Sequence, residues 1–146
     1  MFHTRPPVCA PIQFMPKTFE DLDAFNYALA LMVHIYGLTE NFPKREMYGL
    51  ASQLRRAAAS IVSNIAEGQG RLTDGEWRQH LSHARGSLFE VEAQIIAANR
   101  LGYLDDAGAQ IARTAVTSVG KPLSGLIRYV KRRESRPPAT SHRQQR

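Results

Sequence analysis

The chain has 146 residues, of which 43% are hydrophobic and 22% charged, which suits one compact domain and excludes general disorder. Its formal net charge is +6. No apolar run approaches the roughly eighteen residues of a membrane span.

Residues 1–17 contain Pro6, Pro7, Pro11 and Pro16 and read as a flexible lead-in. They lack the unbroken apolar stretch of a signal peptide, so a cytoplasmic protein with no membrane partner is expected. Cys9 is the single cysteine; it has neither a disulfide partner nor metal-ligand spacing around it. At Thr18 a hydroxyl can cap a helix whose first turn holds Glu20 and Asp21. The first helix is predicted to run to about Leu38. Leu22, Phe25, Leu29, Met32 and Tyr36 form one apolar stripe, and Tyr27, Leu31, Ile35 and Leu38 form a second well round the helix. A helix apolar on two sides needs two things to pack against, which points to self-association.

Asn41, Phe42 and Pro43 interrupt the pattern. A second helix starts between Pro43 and Ala51 and ends near Glu67, before Gly68 and Gly70. Its predicted core face is Leu50, Leu54, Ala57, Ala58, Ile61 and Ile65. A polar row of Arg56, Ser60, Ser63 and Glu67 suits either a solvated face or a hydrogen-bonded seam. The seam is favoured, with Arg56 finding a carboxylate, because small residues nearby allow close helix approach.

Thr73 and Glu76 have the spacing of a capping box. Behind them Trp77, Leu81, Ala84, Leu88, Val91, Ile95 and Ala98 alternate in steps of four and three. This third helix stops near Arg100 and Gly102. Asp105 or Asp106 opens a fourth, with Ile111, Ala115, Val119, Leu126 and Val130 inward and a kink or break expected at Pro122, between Gly120 and Gly125. Beyond Glu134 the composition predicts a disordered basic tail over residues 135–146. Four helices with short connections predict an all-α, antiparallel up-down-up-down bundle over residues 18–134.

No constellation of residues for catalysis emerges. Glu76, His80 and His83 lack a second pair to complete a metal site, and no nucleophile has a partner base. No metal, no cofactor and no enzymatic activity are expected. The charge is informative by its location. Residues 128–146 carry seven basic side chains against Glu134 alone, whereas residues 1–127 carry twelve of each sign. Arg128, Lys131, Arg132, Arg133 and Arg136 thus form a candidate RNA- or DNA-binding end, with Tyr129 as the aromatic at hand; a solubilising tail is the bland alternative.

The segment FPKREMYGLASQLRRAAASIVSNIAEGQGR, with IYGLTENFP before it and GSLFEVEAQIIAANRLGYL and GLIRYVKR after it, closely resembles the bacterial four helix bundle proteins, among them proteins encoded in intervening sequences of the 23S ribosomal RNA gene. Residues 19–133 share the resemblance. It implies antiparallel bundles assembling into ring-shaped homopentamers without enzymatic activity. It also extends to the accessory variability determinant (Avd) proteins of diversity-generating retroelements, which implies nucleic-acid binding and a reverse transcriptase as a partner. Arg55, Arg56, Ser60, Asn64, Glu67 and Gly68 match the family's polar motif and are assigned by resemblance to packing and assembly. Pro122 departs from the unbroken fourth helix that the family leads one to expect. The functional expectation is a non-catalytic, nucleic-acid-binding scaffold; the alternative is a protein-interaction module of the intervening-sequence type.

Overall fold

The computed structural model describes residues 16–137; Cys9 and most of the two predicted tails lie outside the described residues. Four α-helices follow one another: α1 (Asp23–Thr39), α2 (Leu50–Gln69), α3 (Asp74–Arg100) and α4 (Asp106–Glu134). No strand occurs among the described residues. Each helix packs on its sequence neighbours and α4 returns to α1, while the diagonal pairs stay apart, so the helices stand at the corners of a square. Cross-helix bonds show that neighbours run antiparallel. Ser60 meets Ser87 and Gln53 meets Gln94 between α2 and α3, and Arg78 near the start of α3 meets Glu134 at the end of α4.

The start of α1 differs from expectation. The Asp21 carboxylate accepts from the Lys17 and Thr18 amides and holds a single 3-10 turn, Phe19–Asp21. Leu22 then goes extended (φ −85°, ψ 124°) and buries its side chain before the α-helix begins. The buried seam of α1 is Ala24, Ala28, Leu31, Ile35 and Thr39. Leu29 and Tyr36 of the first predicted stripe are exposed. Alanine explains the shift: its small side chain lets the neighbouring helices approach closely, so the contact line follows the alanines rather than the bulkiest residues.

Between α1 and α2 a second 3-10 turn, Lys44–Glu46, brings the Glu46 carboxylate to the Leu50 amide at 2.9 Å, so Glu46 caps α2. Its other oxygen accepts from the Tyr103 hydroxyl at 3.0 Å. The Leu50 amide first, then the Tyr103 hydroxyl, hold the Glu46 carboxyl below its usual pKa. The predicted core face of α2 is buried apart from the half-buried Leu50.

All seven residues of the predicted α3 seam are buried. The Glu76 amide donates to the Thr73 hydroxyl at 3.2 Å, while the Glu76 carboxylate accepts a hydrogen bond from that hydroxyl (3.0 Å) rather than from an amide. At the far end Gly102 (φ +76°) lets Tyr103 donate to Ala98 and Gly102 to Asn99, a Schellman stop that only glycine adopts without strain.

In α4 the buried set is Ala109, Ala112, Val116, Val119, Leu123 and Val130. Ile111, predicted inward, is 60% exposed, and Ala115 and Leu126 are half-buried, whereas Val119 and Val130 are inward as expected. Nor does Pro122 break the helix, which runs through it to Glu134. Upstream, the hydroxyls of Thr114, Thr117 and Ser118 bond back to the carbonyls of Gln110, Arg113 and Thr114, a pattern that eases local bending. The fully buried Leu and Ile side chains at the centre, Leu31, Ile35, Leu54, Ile61, Ile65, Leu81, Ile95 and Leu123, each favour folding by about 1.5–3 kcal/mol.

Candidate nucleic-acid interface

The last turns of α4 gather the basic side chains. Lysine and arginine suit this position because free carbonyls give a helix C-terminus partial negative charge. Arg128, Lys131, Arg132 and Arg136 are exposed. Lys131, Arg132, Ser135 and Arg136 line a shallow concavity of about 400 Å³. Among the described residues Arg128, Arg132 and Arg136 form no ion pair. Glu134, the acid in this stretch, faces Arg78, whose Nε lies 2.6 Å away. That hydrogen bond is the main reason the Glu134 carboxyl sits below its ordinary pKa, with Lys131 a lesser influence.

Arg133 is built into the fold. Its guanidinium bonds Asp74 at the start of α3 (3.2 Å) and lies over the rings of Trp77 (5.6 Å) and Tyr129 (5.7 Å). Trp77 and Tyr129 meet edge to face at 6.3 Å. Arg133 and Tyr129 thus fasten the end of α4 to the beginning of α3, and Tyr129 lies half-buried beneath the guanidinium. Of the five cations that the sequence nominated, four are free for a ligand and one is engaged.

The residues assigned to packing divide in two. Arg55 lies over Tyr36 (4.9 Å to the ring centre) and donates to the Thr39 hydroxyl at 2.8 Å, joining α2 to α1. Ser60 bonds Ser87 across to α3 at 3.0 Å. The Asn64 amide nitrogen donates to the Ser60 carbonyl at 2.9 Å. Because that carbonyl only accepts, the Asn64 oxygen faces His80, 3.1 Å away, whose Nδ1 must carry the proton. Gly68 is buried where a Cβ would come within 2.8 Å of Trp77. Arg56, Ser63 and Glu67, by contrast, are exposed, and Arg56 finds no carboxylate among the described residues. Of the expected seam along Arg56, Ser60, Ser63 and Glu67, Ser60 bonds α3 and the Glu67 carboxylate comes within 3.7 Å of His80 Nδ1. The carboxylate expected for Arg56 is not found among the described residues, and Asn64 rather than Ser63 continues the hydrogen-bonded line.

His80 and His83 face each other at 6.4 Å between ring centres, and no group of three or more metal-ligating residues converges among the described residues. No described helix is long and apolar enough to cross a membrane. Another groove, of about 610 Å³, opens between α3 and α4 beside Arg128. Sequence reading missed it, since its walls come from residues some thirty positions apart.

Residues 20–125 match the model of the 23S rRNA-intervening sequence protein family. Among solved structures the fold is similar to a protein of unknown function from the S23 ribosomal protein family of Bacteroides thetaiotaomicron. The TM-score is 0.67 at 19% sequence identity, over 72% of this chain and 95% of that one, a likeness of fold. No curated protein matches the chain.

Proposed function

The chain belongs to the 23S rRNA-intervening sequence protein family, and from that premise we propose that it is a non-catalytic, self-assembling scaffold that binds nucleic acid through the end of α4. The observation that carries the reading is the exposed cationic edge Arg128, Lys131, Arg132 and Arg136 on a body otherwise balanced in charge. Cations confined to one edge attract a phosphate backbone and contribute little to the fold. Self-assembly is supported by α1, which holds Asp23 but no other Asp, Glu, Lys or Arg and which exposes Tyr27, Leu29, Val33 and Tyr36. A ring of identical subunits, a pentamer by resemblance, is the arrangement proposed.

The test is neutralisation of the edge. Truncation before Arg128 would also remove Val130, Tyr129 and Arg133, which hold the fold together. Replacing Arg128, Lys131, Arg132 and Arg136 by glutamine should instead lower affinity for a thirty-nucleotide RNA by at least roughly tenfold. Sedimentation and thermal melting should stay unchanged. Unchanged affinity, with a protein partner retained after nuclease treatment, would favour a protein-interaction module instead. The narrower role, accessory to a retroelement reverse transcriptase, predicts that such an enzyme co-purifies with the chain and is encoded beside it.

A further inference from the structure

The groove between α3 and α4 extends the cationic edge toward the middle of the bundle. Leu88 and Phe89 from α3 and Val116, Gly120, Lys121 and Arg128 from α4 line it. Phe89 is 60% exposed, and the Arg85 guanidinium lies 5.7 Å from its ring centre. At Gly120 on the groove wall a Cβ would make only an ordinary contact with Leu88, at 3.8 Å. The acid on the wall, Glu92, is paired with Arg113 at 3.2 Å. An aromatic face set between Arg85, Lys121 and Arg128 has the composition of a stacking site for a base whose phosphates run along a basic edge.

We infer that Phe89 is a stacking platform for an unpaired base, and that the ligand of this face is single-stranded nucleic acid. The inference rests on the proposed binding of nucleic acid by the end of α4. A duplex keeps its bases stacked on one another and presents no free base face to the exposed Phe89 ring. A single strand can lay its backbone along Arg136, Arg132 and Arg128 and turn one base into the groove. The same apolar surface is also what a second copy of the chain would cover; the cationic rim favours the strand, which carries a charge at every phosphate, whereas an apolar helix such as α1 offers the single carboxylate of Asp23.

Fluorescence anisotropy on the full chain separates these cases, using labelled single-stranded RNA and DNA, the same strands with abasic sites, and a duplex. Phe89→Ala should weaken single-strand binding about five- to 150-fold. It should leave the salt dependence and abasic-strand binding unchanged, and Phe89→Trp should bind at least as tightly as the parent. With the parent binding strands normally, an Ala variant of parental affinity, or a parent preferring duplex, overturns the stacking site and leaves the basic edge standing. A Phe89→Ala variant that loses its oligomeric state makes the groove a subunit contact and also overturns it. A parent that binds no nucleic acid at all overturns the underlying reading with it.

Discussion

Two glycines separate space from intrinsic propensity. Gly68 and Gly86 both lie inside helices, where alanine is ordinarily favoured by up to about 1 kcal/mol. A Cβ at Gly86 meets nothing within 4 Å, whereas at Gly68 it comes to 2.8 Å from Trp77 and 3.0 Å from the His80 Cβ. Gly86→Ala should therefore raise stability slightly, and Gly68→Ala should lower it by about 1–3 kcal/mol through overpacking. Urea unfolding of both variants checks the opposite signs. The carboxylates add a pH dependence. Glu46 and Glu134 have folded pKa values below the ordinary 4.5, Glu46 through the Leu50 amide and Glu134 through Arg78. A lowered folded pKa contributes stability above the unfolded value that is lost as pH falls through the folded one. The melting temperature should accordingly drop as pH is taken below about 4.5, and Glu46→Gln should flatten that acid limb.

At the scale of the helix, legibility depended on side-chain size. The α3 seam was readable because bulky apolar residues occupy most of its heptad positions, so one stripe dominates. In α1 and α4 the true seams run through Ala24, Ala28, Ala109 and Ala112, while Leu29, Tyr36 and Ile111 face out. Periodicity weighted by hydrophobicity finds only part of such seams, Leu31 and Ile35 in α1 and Val119 and Val130 in α4, and only the neighbours' positions supply the alanines. At Pro122 local chemistry predicts a kink or a break; the break does not occur, and α4 continues through the proline. The candidate site was half legible. Its cations stand together in the chain, but the Arg133, Asp74 and Trp77 cluster and the Phe89 groove join segments that only folding brings together. Since Pro122 donates no hydrogen bond to Ser118, Pro122→Ala should stabilise the protein, by up to about 3 kcal/mol if no contact with α1 is lost. Calorimetry reads this directly; a lower melting temperature would show that the ring's packing outweighs the missing bond.

At the scale of the molecule, apolar surface and charge are segregated. The outer side of α1 presents Tyr27, Val33 and Tyr36 without a charge among them, whereas the excess of cations over acids lies along the end of α4. The proposed assembly and the proposed ligand binding should then be separable by substitution. Val33→Lys should shift sedimentation from oligomer to monomer with little change in melting temperature, because Val33 is 64% exposed; a parent protein that sediments as a monomer would contradict the role given to α1. The most direct test of the account is the salt dependence of nucleic-acid binding by the parent and the four-glutamine variant. Each phosphate that a cation neutralises on a single strand contributes about −0.7 to the log–log slope, so four cations predict about −3 for the parent and a slope near zero for the variant. A shallow slope in the parent, or the same slope in both proteins, would contradict the claim that the end of α4 is where this protein meets nucleic acid.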